Sequence, residues 1–420
     1  MLMPDLATHL GVPTGSSGSW MIDISRRLAK SESITLGVAC IHGSEYRHVP
    51  LAGTDYYALP GSGKNMLFYT KRYERLWKRV YDDFSPDIVH LHGTEYSHGL
   101  SFLRAHPEVK AVVSTQGMLT RIKDVDFGGL TKVDVLRYRS LRENTHLNGM
   151  VELHWLHRRN AKHEAEILGR VQYANCVNTW DCSLARSINP ALRCFMLEYN
   201  LRDEFYAAPK WSMNDAERHS IFTNPGGTPL KGLHMLIRAL AIVRRDYPDA
   251  RLVVPGMGDE QNRLVVRSGY SKYIRDLVKE LQLGDAIDFL GRQSGDEMMS
   301  RMRSAHVVVV PSAIEGTSLV LREAMFLGVP CVASFRGGMA DFISDKQDGF
   351  LYDYQEYPYL AQRIVALFGQ DELCRRFSEA AIAKATRAHD RDMNLSAWLR
   401  MYEEVASAVP PARRVDFADR

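Results

Sequence analysis

Short runs of β-branched and aliphatic residues alternate along this chain with stretches whose apolar residues recur at helical spacing. Runs this short, apolar on both sides, fit strands covered on each face, and strand–helix alternation builds parallel sheets with helices packed on both faces. Two such sheets are expected. In the first half the strands fall at 34–42, 55–60, 87–92, 111–116 and 175–179; in the second, at 219–224, 250–256, 286–291, 306–312, 329–334 and 349–352. The rhythm stops in "EYNLRDEFYAAPKWSMNDAERHS" (198–220), where turn-forming and charged residues gather. With 420 residues the chain exceeds what one hydrophobic core organises. An N-terminal doubly wound domain is therefore expected over 1–205 and a C-terminal one over 206–385, with 409–420 a proline-broken, charged tail.

A parallel α/β domain should open with a buried strand, yet "MLMPDLATHLGVPTGSSGSW" begins almost at once with a loop. Only Met1 to Met3 could supply that strand, so it is either very short or the true start lies upstream. Net charge is +3, which excludes no partner by itself, and no basic tract points to nucleic acid. The one local concentration is "KNMLFYTKRYERLWKRVYDDF" (64–84). Tyr69, Tyr73, Leu76, Trp77, Val80 and Phe84 form a helical stripe there, and Lys71, Arg72, Arg75, Lys78 and Arg79 occupy the remaining surface. Such a helix buries its stripe in a core, and its basic face is either simply solvated or docks on an anionic membrane. The six cysteines lack metal-type spacing and read as reduced thiols. With no apolar run of 18 residues and no basic-then-apolar leader, the expected location is cytoplasmic, with room for contact at the inner face of the membrane.

The stretch "PSAIEGTSLVLREAMFLGVPCVAS" (311–334) places Glu315 and Glu323 on either side of a helix start. Pro311 ends the preceding strand, Gly316 permits close backbone approach, and Thr317 or Ser318 can cap the helix. Helix-start amides at the C-terminal edge of a parallel sheet suit an anionic diphosphate. Glutamates near a helix start also have a purely structural reading, since the dipole stabilises them there.

The pattern Glu-Gly-x-Ser-Leu-x-x-x-Glu-Ala-Met, followed by "LGVPCVAS" and "RGGMADFI", resembles the nucleotide-sugar-binding half of retaining GT-B glycosyltransferases, glycosyltransferase family four. "NPGGTPLKGLHMLIRAL" (224–240), "VVPGMGDE" (253–260) and "IDFLGR" (287–292) extend the likeness, and "PDIVHLHGTEY" (86–96) and "GSSGSW" (15–20) carry it into the first half. "WDCSLARSINP" (180–190) and "EYNLRDEFY" (198–206) are similar to a bacterial branch associated with surface polysaccharide. The resemblance implies two Rossmann-like domains facing a cleft, with helices of 386–408 crossing back to the first. It implies a retaining, metal-independent hexosyl transfer from a nucleotide diphosphate sugar to a glycan or lipid-linked glycan, with no cofactor. Glu323 would hold the donor ribose, the amides of Gly316, Thr317, Ser318 and Leu319 the diphosphate, and Lys231 the charge on the departing nucleoside diphosphate, while Glu315 lies near the sugar. Gly226, Gly227 and Gly18 would line the donor, and His92 and Gln116 the acceptor cleft.

Two departures accompany the match. Relatives often carry an arginine where this chain has Gly226, and a cleft histidine where it has Gln116, which cannot act as a base near neutral pH. Those departures keep a degenerate nucleotide-sugar-binding protein in view, beside an epimerase or hydrolase on the same fold. Simpler uses also stay open: a solvated turn for Lys231, turns for Gly15 and Gly18, hydrogen-bonded packing for His90 and His92, and a helix-start role for Asp341. His154, His157 and His163 lack the companions of a zinc site, and no metal is assigned.

Overall fold

The computed structural model describes residues 2–12, 18, 20–62, 66–146 and 148–408, so most of the glycine loop at 15–20 and the tail at 409–420 lie outside the described residues. Strands Leu36–Ile41 (β1), Arg47–Leu51 (β2) and Thr54–Leu59 (β3) form a three-stranded sheet in the order β1-β3-β2. β1 runs parallel to β3, and β2 antiparallel. Val89–His92 (β4), Ala111–Ser114 (β5), Tyr173–Asn175 (β6) and Arg193–Phe195 (β7) form a separate, fully parallel sheet in sequence order.

The second half holds one six-stranded parallel sheet. Its strands are Glu217–Phe222 (β8), Arg251–Asp259 (β9), Ile287–Leu290 (β10), Ala305–Val310 (β11), Cys331–Ser334 (β12) and Phe350–Tyr352 (β13), ordered β10-β9-β8-β11-β12-β13. The chain winds outward from β8 to β10 and then returns to β11 on the other side of β8, so the topological switch lies between β8 and β11. Ligands of open parallel sheets bind outside the strand C-termini at such a switch. Val307, Val308 and Val309 are wholly buried, as a central strand covered on both faces requires.

The sequence expectations for the second sheet hold to within a few residues, and those for the first are corrected in four respects. The first-half strands divide into two sheets, because among the described residues nothing pairs between the edges of β1 and β4. Among the described residues no strand forms near the start: Met3 precedes the helix Pro4–His9, whose fixed proline φ suits a first helical turn. The strand expected at 175–179 ends at Asn175, since Asn178 caps a helix over Thr179–Ile188 by accepting a hydrogen bond from Asp181 N. The basic helix begins only at Lys71, with Tyr69 ahead of it; Tyr73 and Trp77 are buried, and the five basic residues are exposed.

Two segments cross between the halves. Leu130 and Val135 lie in the core of the six-stranded sheet. From the other end of the chain, the helix Arg391–Ser407 sends Trp398, Met401 and Val405 into a cluster with Trp20, Ile24, Val112 and Tyr199. Among the described residues no helix is long and apolar enough to cross a membrane.

Candidate functional site at the sheet switch

The loops leaving β8 and β11 meet at the switch. After β8 the chain runs through exposed Gly226 and Gly227 into a single 3₁₀ turn, Pro229–Lys231, and then Gly232. Gly232 is required where it stands: at φ +70° a Cβ would lie 1.7 Å from the carbonyl oxygen of Pro311. That contact seats the turn directly against the end of β11, and Ala313 N donates to Leu230 O at 2.7 Å to fix the register. Lys231 Nζ consequently reaches both carboxylate oxygens of Glu315, at 2.7 and 2.9 Å. Gly226 adopts φ +56°, and a side chain there would meet nothing within 4 Å. A glycine thus stands where the resemblance expects arginine because the turn is left-handed, a conformation that costs other residues roughly 1–2 kcal/mol.

Beyond Glu315, the helix Leu319–Leu327 is capped by Ser318, whose Oγ accepts from Leu321 N. The amides of Gly316, Thr317, Ser318 and Leu319 make no protein hydrogen bond among the described residues, and Thr317 Oγ1 is buried without a partner. Unsatisfied donors at a helix start form a ready anion site. Glu323, one turn further, is 6% exposed and already engaged. Arg202 Nε and NH2 donate to its Oε1 at 3.1 and 3.0 Å, leaving Oε2 without a protein partner among the described residues. Burial pushes the Glu323 carboxyl up to about 7 despite Arg202. The neighbouring Arg322 pairs with Glu198 while its Nε and one terminal nitrogen stay buried with no partner among the described residues. Glu198 and Arg202, four apart, therefore answer the adjacent Arg322 and Glu323.

The first half presses on this loop. Asn178 Nδ2 donates to Gly316 O at 2.9 Å, and the Asp181 carboxylate lies against Gly316. Asp181 is wholly buried; burial pushes its carboxyl up to about 7 against hydrogen bonds from Thr115 and Asn178. Asp341 accepts from Thr179 N and Oγ1, so it caps a helix of the other half. On the strand side, His90 is satisfied by Tyr402 OH at 2.7 Å and Ser114 Oγ at 2.8 Å. His92 stacks on His90 at 4.3 Å, keeps Nδ1 without a partner among the described residues, and is held down to about 4 by burial and His98. Glu95, just past β4, has a buried Oε2 with no partner among the described residues and a carboxyl raised by burial to about 7.

Of the residues singled out in the sequence, Lys231, Glu315, Gly316, Thr317, Ser318, Leu319 and Glu323 thus gather along one loop and helix start, with Gly226 and Gly227 on the loop that leads into Lys231. His92 ends β4 and Gln116 lies two residues past the end of the neighbouring β5, Gln116 making no side-chain hydrogen bond among the described residues. Gly18, at φ +77°, lies ahead of the helix Trp20–Ala29. Sequence reasoning missed Glu95, Asn178, Asp181, Arg202 and Arg322. One signal was present: Asn178-x-x-Asp181 directly after a strand is a helix-capping pattern.

The profile described as Glycosyl transferases group 1 matches residues 219–384, the span that carries β8 to β13, Lys231, Glu315 and Glu323. The chain carries a glycosyl transferases group 1 domain. The chain is similar to phosphatidyl-myo-inositol mannosyltransferase of Mycobacterium leprae, at 33% identity over 181 residues, 43% of this chain and 45% of that protein. D-inositol 3-phosphate glycosyltransferase of Corynebacterium urealyticum is 32% identical over 158 residues, 38% of this chain and 37% of that protein. The matches span less than half the length of either relative. Among solved structures, sucrose-phosphate synthase of Thermosynechococcus elongatus superposes with TM-score 0.71 at 16% identity, over 93% of this chain and 94% of that one. HepE of Anabaena, crystallised with UDP-glucose, gives 0.65 at 15% identity over 93% and 97%. The group 1 domain therefore sits in a GT-B fold, two Rossmann-like units facing a cleft.

Proposed function

We propose that the chain is a retaining hexosyltransferase that moves a sugar from a nucleotide diphosphate sugar to a hydroxyl of a glycan or lipid-linked glycan, in assembly of bacterial exopolysaccharide, capsule or lipopolysaccharide. The observation that carries this reading is the Lys231–Glu315 pair set beside a helix start with unspent amides at the switch of a parallel sheet. A diphosphate bound there meets the amides of 316–319 and the Lys231 ammonium, which stabilise charge growing on the leaving group without a metal. Glu323 Oε2 is free to accept from ribose hydroxyls while Arg202 holds Oε1. Glu315, oriented by Lys231, faces the sugar. Retention follows from attack on the face that the leaving group vacates, with a departing phosphate oxygen taking the acceptor's proton, so no protein nucleophile is needed. His92, Gln116 and Glu95 receive the acceptor on the opposite wall.

HepE's complex with UDP-glucose and the relatives' inositol-lipid and inositol-phosphate names support a nucleotide-sugar donor and a hydroxyl acceptor. The helix Lys71–Phe84, with its exposed basic face, supports work on a lipid-linked acceptor at the cytoplasmic face of an anionic membrane. Exposed Phe68 and Trp155, both stacked on Arg159, add aromatic anchors beside it.

The test is a calorimetric and thermal-shift screen against UDP, GDP, ADP and their common sugars, with Glu323→Ala alongside. Stabilisation by one diphosphate family, reduced in the variant, supports the assignment and names the donor base. Folded protein that binds none of them refutes it and favours the degenerate reading that Gly226 and Gln116 motivate. Rapid epimerisation or stoichiometric hydrolysis of donor alone would instead favour the epimerase or hydrolase.

A further inference from the structure

Three of the six cysteines converge although nothing in their spacing announces it. Cys176 follows β6, Cys182 lies inside the helix Thr179–Ile188, and Cys194 is the middle residue of β7. Their Sγ atoms all lie within 4.8 Å of one another. Strands β6 and β7 are paired in register, Ala174 opposite Cys194, and the intervening helix returns across them, so the convergence is fixed by the βαβ crossover. Cys176 is buried, whereas Cys182 and Cys194 are half-buried, which leaves the cluster a route to solvent.

Buried cysteines commonly serve as small apolar side chains, and Cys331 and Cys374 fit that use, each with its thiol turned to a backbone carbonyl at 3.1 and 3.2 Å. Cys194 also has a carbonyl neighbour, Leu192 O at 3.9 Å, but the trio differs because its three sulfurs converge. Thiolates about 2.3 Å from a tetrahedral zinc ion are separated by roughly 3.8 Å, so small side-chain rotations close the ring. A disulfide would use two of the three sulfurs and strand the third.

We propose that Cys176, Cys182 and Cys194 form a three-thiolate site for a soft divalent cation of the zinc class, with water in the fourth position. The site is separate from the sugar-transfer chemistry and stands independently of it. Its place in the fold gives it a structural consequence: Cys176 and Cys182 bracket Asn178 and Asp181, the residues that touch Gly316. A bound cation ties β6, β7 and the helix together behind that turn.

The experiment is titration of the reduced, full-length protein with Cd²⁺, following the ultraviolet thiolate-to-metal charge-transfer band, with Zn²⁺ retained after desalting counted per chain. One equivalent of either ion is expected, with a higher melting temperature. Cys182→Ala and Cys194→Ala, chosen because these residues are half-buried, should each weaken binding at least about 100-fold, since even outer partners of a metal site cost 10–100-fold. Cys40→Ala and Cys374→Ala should leave it unchanged. Circular dichroism in metal-free buffer separates lost ligation from lost folding, and Cys182→Ser repeats the measurement should Cys182→Ala misfold. Folded wild-type protein with no charge-transfer band overturns the proposal. So does a band that survives in both half-buried variants, or freshly purified protein in which two of these thiols are already joined.

Discussion

Gly232→Ala is a small substitution with a large expected effect. Real Cβ atoms keep about 3.0 Å from other heavy atoms, and a Cβ here would begin 1.7 Å from Pro311 O and 2.9 Å from the Tyr354 ring. The 3₁₀ turn must therefore move by about 1.3 Å or the peptide at Pro311 must rotate. Holding alanine at φ +70° adds roughly 1–2 kcal/mol. Moving the turn carries Lys231 away from Glu315, whose carboxylate it now meets at 2.7 Å. A displacement of about 1 Å in a positioning element can cost on the order of 100-fold in rate. The expected variant folds, loses about 2 kcal/mol or more in urea denaturation, and binds the nucleoside diphosphate found in the screen at least tenfold more weakly by calorimetry. A variant with wild-type midpoint and wild-type affinity would refute the claim that backbone contact at Gly232 sets the position of Lys231.

Lys231→Met should barely change stability, by about 1 kcal/mol at most, because the pair is partly exposed; diphosphate affinity should fall roughly 10- to 100-fold, read by calorimetry. A second expectation concerns pH. Glu323 and Asp181 have folded-state values near 7, above their ordinary 4.5 and 3.8, so the folded chain keeps protons that the unfolded chain has released. The associated stability is present below about pH 4 and is lost as the pH rises toward 7, by about 3 kcal/mol for Glu323 and about 4 kcal/mol for Asp181. Glu323→Gln should flatten the stability profile between pH 4.5 and 7 in urea melts, and an unchanged slope would contradict the raised value. Tyr354→Phe removes one of two hydrogen bonds on Gly128 O, the other coming from His234 at 2.8 Å. It should cost about 1 kcal/mol and speed amide exchange in residues 127–143, measured by mass spectrometry.

The strands of the second half were legible because a parallel strand buried on both faces must be apolar almost throughout, as "HVVVV" is. β2 was not, since Pro50 and the exposed Arg47 and His48 give an edge strand no such signature, nor was β7, three residues long with Arg193 exposed. In the site, Lys231 and Glu315 could be read because the stretches that carry them resemble a known family, and Lys231 adjoins Gly232, which the backbone path demands. Glu95, Arg202 and Arg322 could not, because their importance lies in who faces them: Arg202 and Glu323 are separated by 121 positions and meet only through packing between the halves. The cysteine trio shows the same limit, its ligands being set side by side by a crossover and not by spacing.

The two crossing segments constrain how such a chain can be recombined. Leu130 and Val135 fill the core built mainly after residue 200, while Trp398, Met401 and Val405 fill one built mainly before it. A gene divided near residue 205, inside the helix Asp203–Ala207, would yield one product with Trp20 and Val112 uncovered and another with a hole where Leu130 belongs. Chimeras that exchange second halves between relatives should therefore place residues 127–143 with the incoming second half and keep the last helix with the first, a rule of four crossovers where the linear order of the chain invites one.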